Sequence, residues 1–298
     1  MFGWTQGLTR TVFGMAPDDA DWLRRRGLAC YDGLASGDLG PPFKTKPGLA
    51  LYRLMDDAGH CYFLKRSTAP PVGSQWRWLF RALRRRRLPH VEAFNVYLAA
   101  RVLADQGFGV MSVVAWGERR RFGAWPVEGV MLARGVPGED VARLFAESDP
   151  HQRHRLLAAL GSHCARLHGK GFFLSLRMHD LFCAREQIGP SADMHAVDFV
   201  MIDLDFHGRE LVPGVFSWPP AASSIVQSAY LTLRTGGAEA IDVAGARAWL
   251  ACYRAGVRSQ GGTLPRRWIS DLRARLRVAL IRHHQDPRLV AQFPDTPA

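Results

Sequence analysis

The order in which strand-like and helix-like segments follow one another constrains this chain more than any single motif. Residues 1–28 read as a helical lead-in with a basic end at Arg24 to Arg26, and 29–48 as a stretch rich in Gly, Pro and Asp. Residues 49–66 read as a hairpin: LALYRLM is one strand, DDAG the turn and HCYFLKR the second strand. Pro89 then sits near a helix start, where its missing N–H costs nothing. Val91, Phe94, Leu98 and Val102 follow at the spacings of an amphipathic helix. Residues 109–116 and 127–133 read as two more strands, joined by a turn holding Glu118 to Gly123, and RGVPGED then breaks the pattern. Beyond it, helices are predicted at 151–168, 219–235, 240–257 and 265–284. Loop and short strands fill 171–183, and 198–206 reads as a buried strand ending in acids. The expectation is an α+β, two-lobed chain. Its small β-rich N-lobe with one helix spans 1–133 and its larger, mainly helical C-lobe 134–298. Strands and helices do not alternate throughout, which disfavours a doubly wound sheet.

The 298 residues carry a formal charge of +12, so a partner with negative charge is expected: phosphate, anionic lipid head groups or nucleic acid. Of the basic residues only four are lysines, Lys44, Lys46, Lys65 and Lys170, against 35 arginines. Each lysine therefore draws interest, because arginine cannot replace a compact ammonium in a tight polar site. The five cysteines are odd in number and lack a CxxC spacing, which argues against a disulfide framework or structural zinc site. The N-terminus has no continuous apolar run, and no stretch approaches 18 uncharged apolar residues. The expectation is a cytoplasmic protein, peripheral to a membrane at most.

Four pieces of chemistry stand in order along the chain. Lys65 ends a strand after Tyr62, Phe63 and Leu64, with Arg66 on the opposite face. It reads either as a solvated strand-end lysine or as one that contacts nucleotide phosphates. Glu92, in the first turn of the next helix, is the only acid between Lys65 and Asp105. It either favours the helix dipole or orients that lysine. Leu-His-Gly-Lys-Gly-Phe-Phe-Leu-Ser-Leu at 167–176 and Val-Met-Ile-Asp-Leu-Asp-Phe at 200–206 complete the set.

In these residues the sequence resembles the lipopolysaccharide core kinases of Gram-negative bacteria, the Kdo and heptose kinase group with its InaA-like relatives. The matching pieces are Phe63-Leu64-Lys65-Arg66, Glu92, LHGKGF at 167–172 and Ile202-Asp203-Leu204, across roughly 50–206. The resemblance implies a protein-kinase-like fold using ATP and Mg²⁺ on a sugar hydroxyl of the lipopolysaccharide core or another anionic glycolipid. It further implies that Lys65 holds the ATP phosphates, Glu92 orients it and Asp203 binds Mg²⁺. The segment from Leu132 to Gly138, with Leu132 and Arg134, would form the hinge whose backbone meets the adenine. Kinase loops carry a catalytic Asp with a metal-binding Asn five residues later. Aligned on the phenylalanines after Gly171, Ser175 takes the position of the base and Asp180 that of the second metal ligand. Shifting the loop to make Asp180 the base, beside His179, leaves Arg185 where a metal ligand is required. Gly33, Gly37 and Gly40 read as turn glycines rather than as a phosphate-covering loop.

The departure at Ser175 keeps a second reading open, a pseudokinase that binds nucleotide as a scaffold. A small-molecule kinase of the aminoglycoside type is a third, and a basic nucleic-acid-binding protein a fourth. The segment 76–87 bears on the last, with Arg77, Arg81, Arg84, Arg85, Arg86 and Arg87 beside Trp76 and Trp78. It reads as an anionic-membrane contact at the inner membrane, as a solvated helix face, or as a nucleic-acid patch.

Overall fold

The structure, a computed structural model, describes residues 9–70, 89–123, 125–188, 197–204, 214–232, 241–283 and 285–292. The basic segment 76–87 and its arginines lie outside these residues, as do Asp205 and Phe206. The chain divides into two compact units, Met1–Gly107 with Met111–Val136, and Phe108–Val110 with Pro137–Ala298.

The first unit is built on an antiparallel sheet of β1 (Thr9–Met15), β2 (Lys44–Lys46), β3 (Leu49–Met55), β4 (Cys61–Thr68), β5 (Val113–Arg121) and β6 (Trp125–Arg134). Their order across the sheet is β1-β5-β6-β4-β3-β2, so β4 is an interior strand. The β3–β4 turn is closed by Asp56, whose carboxylate accepts from the N–H groups of Ala58 and His60 at 2.9 and 2.7 Å. An aspartate does this because its short side chain can mimic a backbone turn. Alternation sends Tyr62 and Leu64 of β4 to one face with Val130 and Leu132 of β6. There they bury Trp22 and Leu23 of α1 (Ala20–Arg25) and Leu34 of α2 (Tyr31–Ser36). The opposite face receives α3 (Glu92–Asp105), which buries Phe94, Val96, Tyr97 and Ala100. Gly129 on β6 permits that approach, since a Cβ there would lie 2.4 Å from a Val91 methyl.

Several expectations change here. The lead-in is not helical throughout: residues 9–15 form an edge strand paired with β5, and only a short helix follows. The unit holds α1 and α2 besides α3, both six residues long and too short to show a helical period. The strand expected at 109–116 runs instead from Val113 to Arg121, and the described residues of the turn that follows are Phe122 and Gly123, both with positive φ. Its charges misled the pattern because they are paired within the sheet. Arg119 bonds Glu128 across the strands at 2.9 Å, and Glu118 is fully buried.

The second unit is mainly helical: α4 (Val141–Glu147), α5 (Pro150–Gly169), α6 (Trp218–Thr232), α7 (Val243–Ser259) and α8 (Trp268–Arg282). Asp149 and Gln152 form a reciprocal capping box at the start of α5, with Pro150 in the first turn. Cys164 and Ala165 of α5 pack with Leu250, Tyr253 and Val257 of α7 and Trp268 of α8. A small ribbon, β7 (Glu139–Asp140), β8 (Leu181–Cys183) and β9 (Val200–Met201), completes the unit. The strand expected over 198–206 is thus only two residues long. Phe108–Val110 belongs with this ribbon: Met201 N–H donates to Gly109 O at 3.0 Å, and Val110 bridges Met201 in parallel. Among the described residues no helix is long and apolar enough to cross a membrane.

Asp19, just before α1, ties that helix to the sheet. Its buried carboxylate accepts from Tyr62 Oη at 2.9 Å and from Arg134 at 2.8 and 3.0 Å. Asp19→Ala is expected to lower stability by about 1 kcal/mol in urea denaturation, because the buried Tyr62 hydroxyl keeps only its longer bond to Asp56 at 3.3 Å and the half-exposed Arg134 loses its carboxylate partner. Asp21→Ala, which breaks only the solvent-exposed pair with Arg24, is expected to leave the midpoint in place.

Candidate active site

Lys65 lies in the middle of the sheet, its backbone opposite Leu51 on one side and Met131 on the other. Its side chain is 7% exposed and its Nζ lies 2.8 Å from Glu92 Oε1. A buried ammonium is tolerated only when paired, and Glu92 supplies the charge from the first turn of α3. Arg66 points the other way and donates to the carbonyls of Leu34 and Gly37 at 2.6 and 2.8 Å, fastening α2. Adjacent residues of one strand thus clamp a helix on each face of the sheet.

The start of α3 is held in place by contacts of its own. Ser67, two residues beyond Lys65 on the same face, accepts from Ala93 N–H at 2.9 Å. Fully buried Glu118 accepts from Val91 N–H at 2.9 Å and pairs with Arg120 at 2.6 Å and His90 at 3.0 Å. These contacts bracket Glu92 and fix the helix turn that delivers its carboxylate. Sequence reading missed Glu118 because it was placed in a turn.

The strand register puts Lys44 and Lys46 on the face of Lys65, through Leu51 and Leu49. The turn that joins β2 to β3 is Pro47-Gly48. Proline presets φ at the first turn position, and Gly48 takes φ 75° at the second. Gly33 instead sits inside α2, and Gly37 ends that helix. Gly40 is a turn residue with φ 72°.

Of the hinge stretch expected to meet the adenine through its backbone, Leu132 and Arg134 form the end of β6. Leu132 is fully buried in the core on the opposite face, and its backbone is paired with both Leu64 and Ala115. Arg134 is spent on Asp19, and its N–H donates to Ser112 O at 2.9 Å. Gly135 N–H donates to Cys61 O at 2.7 Å. Backbone free of the sheet ladder begins after Gly135.

In the second unit the ribbon brings two acids together. Leu181 pairs with Met201, and Ile202 N–H donates to Asp180 O at 2.8 Å. Asp180 and Asp203 therefore emerge at the same end of β8 and β9. Asp203 takes φ 45°, in the left-handed region that few non-glycine residues enter. Both carboxylates meet one guanidinium. Arg177 Nε donates to Asp180, and its terminal nitrogen donates to Asp203 at 3.0 Å. Burial and the Asp203 charge push the Asp180 carboxyl up to about 6, against the pull of Arg177. His179 does not pair with Asp180; its Nδ1 lies 3.1 Å from Asp140. The two acids are hard oxygen donors converging on one positive charge, a donor set that fits Mg²⁺. Sequence reading missed Arg177, one arginine among 35.

Ser175 is half-buried and has no hydrogen-bond partner among the described residues. The loop around it is held from below. Ser224 Oγ donates to Leu174 O, and Ser228 Oγ accepts from Leu176 N–H at 2.8 Å. Because the Ser224 proton is committed to Leu174, the buried His168 must donate to Ser224 Oγ from Nε2, at 3.1 Å. Its Nδ1 then accepts from Tyr253 Oη at 2.8 Å. Burial holds the His168 imidazole down to about 3, so it stays neutral and keeps this tautomer.

No protein-family model and no curated protein sequence matches the chain. Solved structures do. WaaP in complex with acyl carrier protein aligns with a TM-score of 0.59 at 17% identity, covering 92% of this chain and 97% of that one. Amicoumacin kinase hAmiN in complex with AMP-PNP, Ca²⁺ and Ami aligns at 0.46 and 12% identity, covering 86% and 89%. Glucosamine kinase in complex with glucosamine, ADP and inorganic phosphate aligns at 0.41 and 13% identity, covering 93% and 97%. The fold is the two-lobed, α+β, protein-kinase-like fold.

The buried relay under the loop makes a testable demand. Ser224→Ala removes the acceptor of His168 Nε2–H and the donor to Leu174 O, and is expected to cost about 1–3 kcal/mol. Hydrogen exchange at the Leu176 amide should quicken in this variant beyond the change at distant helices. Unchanged exchange at Leu176 would show that the relay does not hold the loop.

Proposed function

We propose that this chain is a phosphotransferase of the lipopolysaccharide core kinase group, carrying the γ-phosphoryl group of ATP to a sugar hydroxyl of a core oligosaccharide or related anionic glycolipid. The observation that carries the reading is the buried Lys65 ammonium held by Glu92 from α3, the lysine–glutamate arrangement kinase chemistry requires. The fold is shared with the solved structure of WaaP in complex with acyl carrier protein. In this reading Lys65 binds the phosphates of ATP, with Lys44 and Lys46 adding positive charge on the same face. Asp180 and Asp203 hold Mg²⁺, which supplies charge neutralisation for the transferring phosphoryl group. Transfer through a loose transition state asks mostly for positioning and electrostatic stabilisation, so a serine at the base position slows the reaction without forbidding it. The protein acts from the cytoplasmic side, with the arginines of 76–87 meeting the phosphates of the inner membrane surface.

A second reading is favoured by one observation. The loop Phe173-Leu174-Ser175-Leu176 contains no carboxylate, as a nucleotide-binding pseudokinase would have it.

Calorimetric titration with ATP separates these readings from a non-nucleotide function. Wild type is expected to bind ATP more tightly with Mg²⁺ than without. Lys65→Met should weaken binding about tenfold or more, since it removes a desolvated charge from the phosphates. Asp203→Asn should abolish the Mg²⁺ dependence. Absence of ATP binding in folded wild type would overturn the proposal. Phosphate transfer to core oligosaccharide supports the kinase; binding with no transfer to core oligosaccharide or free amino sugars supports the pseudokinase.

A further inference from the structure

Arg177 stands three residues before Asp180, and its guanidinium spans both acids at the end of the ribbon. The convergence of those acids does not depend on it. Their backbones are fixed by the Leu181–Met201 pairing and by Ile202 N–H on Asp180 O. Asp203 moreover holds a left-handed backbone conformation, which is strained for a non-glycine residue and persists because its surroundings fix it. Two carboxylates presented together repel unless a cation lies between them. The neighbouring His179 is turned toward Asp140, whose other oxygen caps α4 by accepting from Ala142 and Arg143 N–H. Both acids share the Arg177 guanidinium, which is about one-third exposed.

We propose that Arg177 is a built-in counter-cation that competes with a divalent metal for the Asp180–Asp203 pair, so that metal enters only by displacing the guanidinium. The inference rests on the kinase reading of these two acids. A guanidinium and a divalent ion cannot share the same carboxylate oxygens, because each satisfies the same lone pairs and the two repel. Arginine in this position keeps the acids paired when no metal is bound and lowers their affinity for it. Removing the arginine must then raise metal affinity, the opposite of what losing a merely structural contact would do.

The probe is Mn²⁺ alone, titrated into the full chain without nucleotide and followed by the electron paramagnetic resonance of the free ion. Arg177→Met is expected to bind Mn²⁺ about tenfold or more tightly than wild type, the scale of effect of one charge beside a carboxylate. Arg177→Lys, which keeps a cation, should stay within about threefold of wild type. Adding Asp203→Asn to Arg177→Met should remove the gain. Mn²⁺ should also raise the melting temperature of Arg177→Met more than that of wild type. Unchanged or weaker Mn²⁺ binding by folded Arg177→Met, a gain that survives Asp203→Asn, or no Mn²⁺ binding by any form would each overturn the inference. If Arg177→Met does not fold, the wild-type chain decides. Its Arg177 Nε–H resonance should shift as Mg²⁺ saturates, and an unmoved resonance at saturation overturns the proposal. The ATP titration through Lys65 is independent of these outcomes, so failure of this inference and failure of the kinase reading are told apart.

Discussion

A lysine ammonium taken out of water in the middle of a sheet destabilises the fold unless an anion meets it. In this chain Glu92 supplies such an anion, and much of the first unit is arranged around keeping it there. Ser67 and Glu118 anchor the backbone at the start of α3, so the helix cannot rotate its first turn away from β4. Arg66 uses the next strand position to fasten α2 to the opposite face. The Lys65–Glu92 pair is thus the product of strand alternation, one helix cap region and one buried carboxylate. A surface ion pair would need none of these and would be worth little.

The second unit solves a different electrostatic problem. A three-residue strand and a two-residue strand, paired in register, deliver two acids to one point. The loop that precedes them is held by a buried chain of hydroxyl and imidazole groups reaching from Tyr253 to Leu174. These polar groups are all satisfied, which gives the loop a single conformation at little cost. Charge is left on the Asp180–Asp203 pair for a cation to balance, and the fold supplies Arg177.

What the sequence made legible follows from which signals are local. The β3–β4 hairpin, the stripe of α3 and the long helices were readable because periodicity and turn chemistry are local. Lys65 and Glu92 were readable as a pair because each stood nearly alone among its kind in its stretch of chain. Three things were not. Helices of six residues carry too few repeats to betray a period, so α2 was missed and α1 was read only as part of a longer helical lead-in. Charged residues inside a strand, such as Glu118 and Arg120, look like a turn until their partners are known. Arg177 could not be told from the other arginines, because what distinguishes it is two carboxylates, one of them 26 residues away. Leu132 and Arg134 were placed in the hinge by family pattern, and strand alternation puts their side chains on the face opposite Lys65.

The scarcity of lysine gives the account its most direct test. An ATP analogue with a reactive acyl-phosphate group, incubated with the full chain, acylates lysines that lie against the nucleotide phosphates. Only Lys44, Lys46, Lys65 and Lys170 are available, so mass spectrometry reads the outcome residue by residue. The account predicts modification centred on Lys65, suppressed by excess ATP and reduced at that residue when Glu92 is replaced by Gln. Labelling confined to Lys170, or labelling of Lys65 that excess ATP does not suppress, would contradict it.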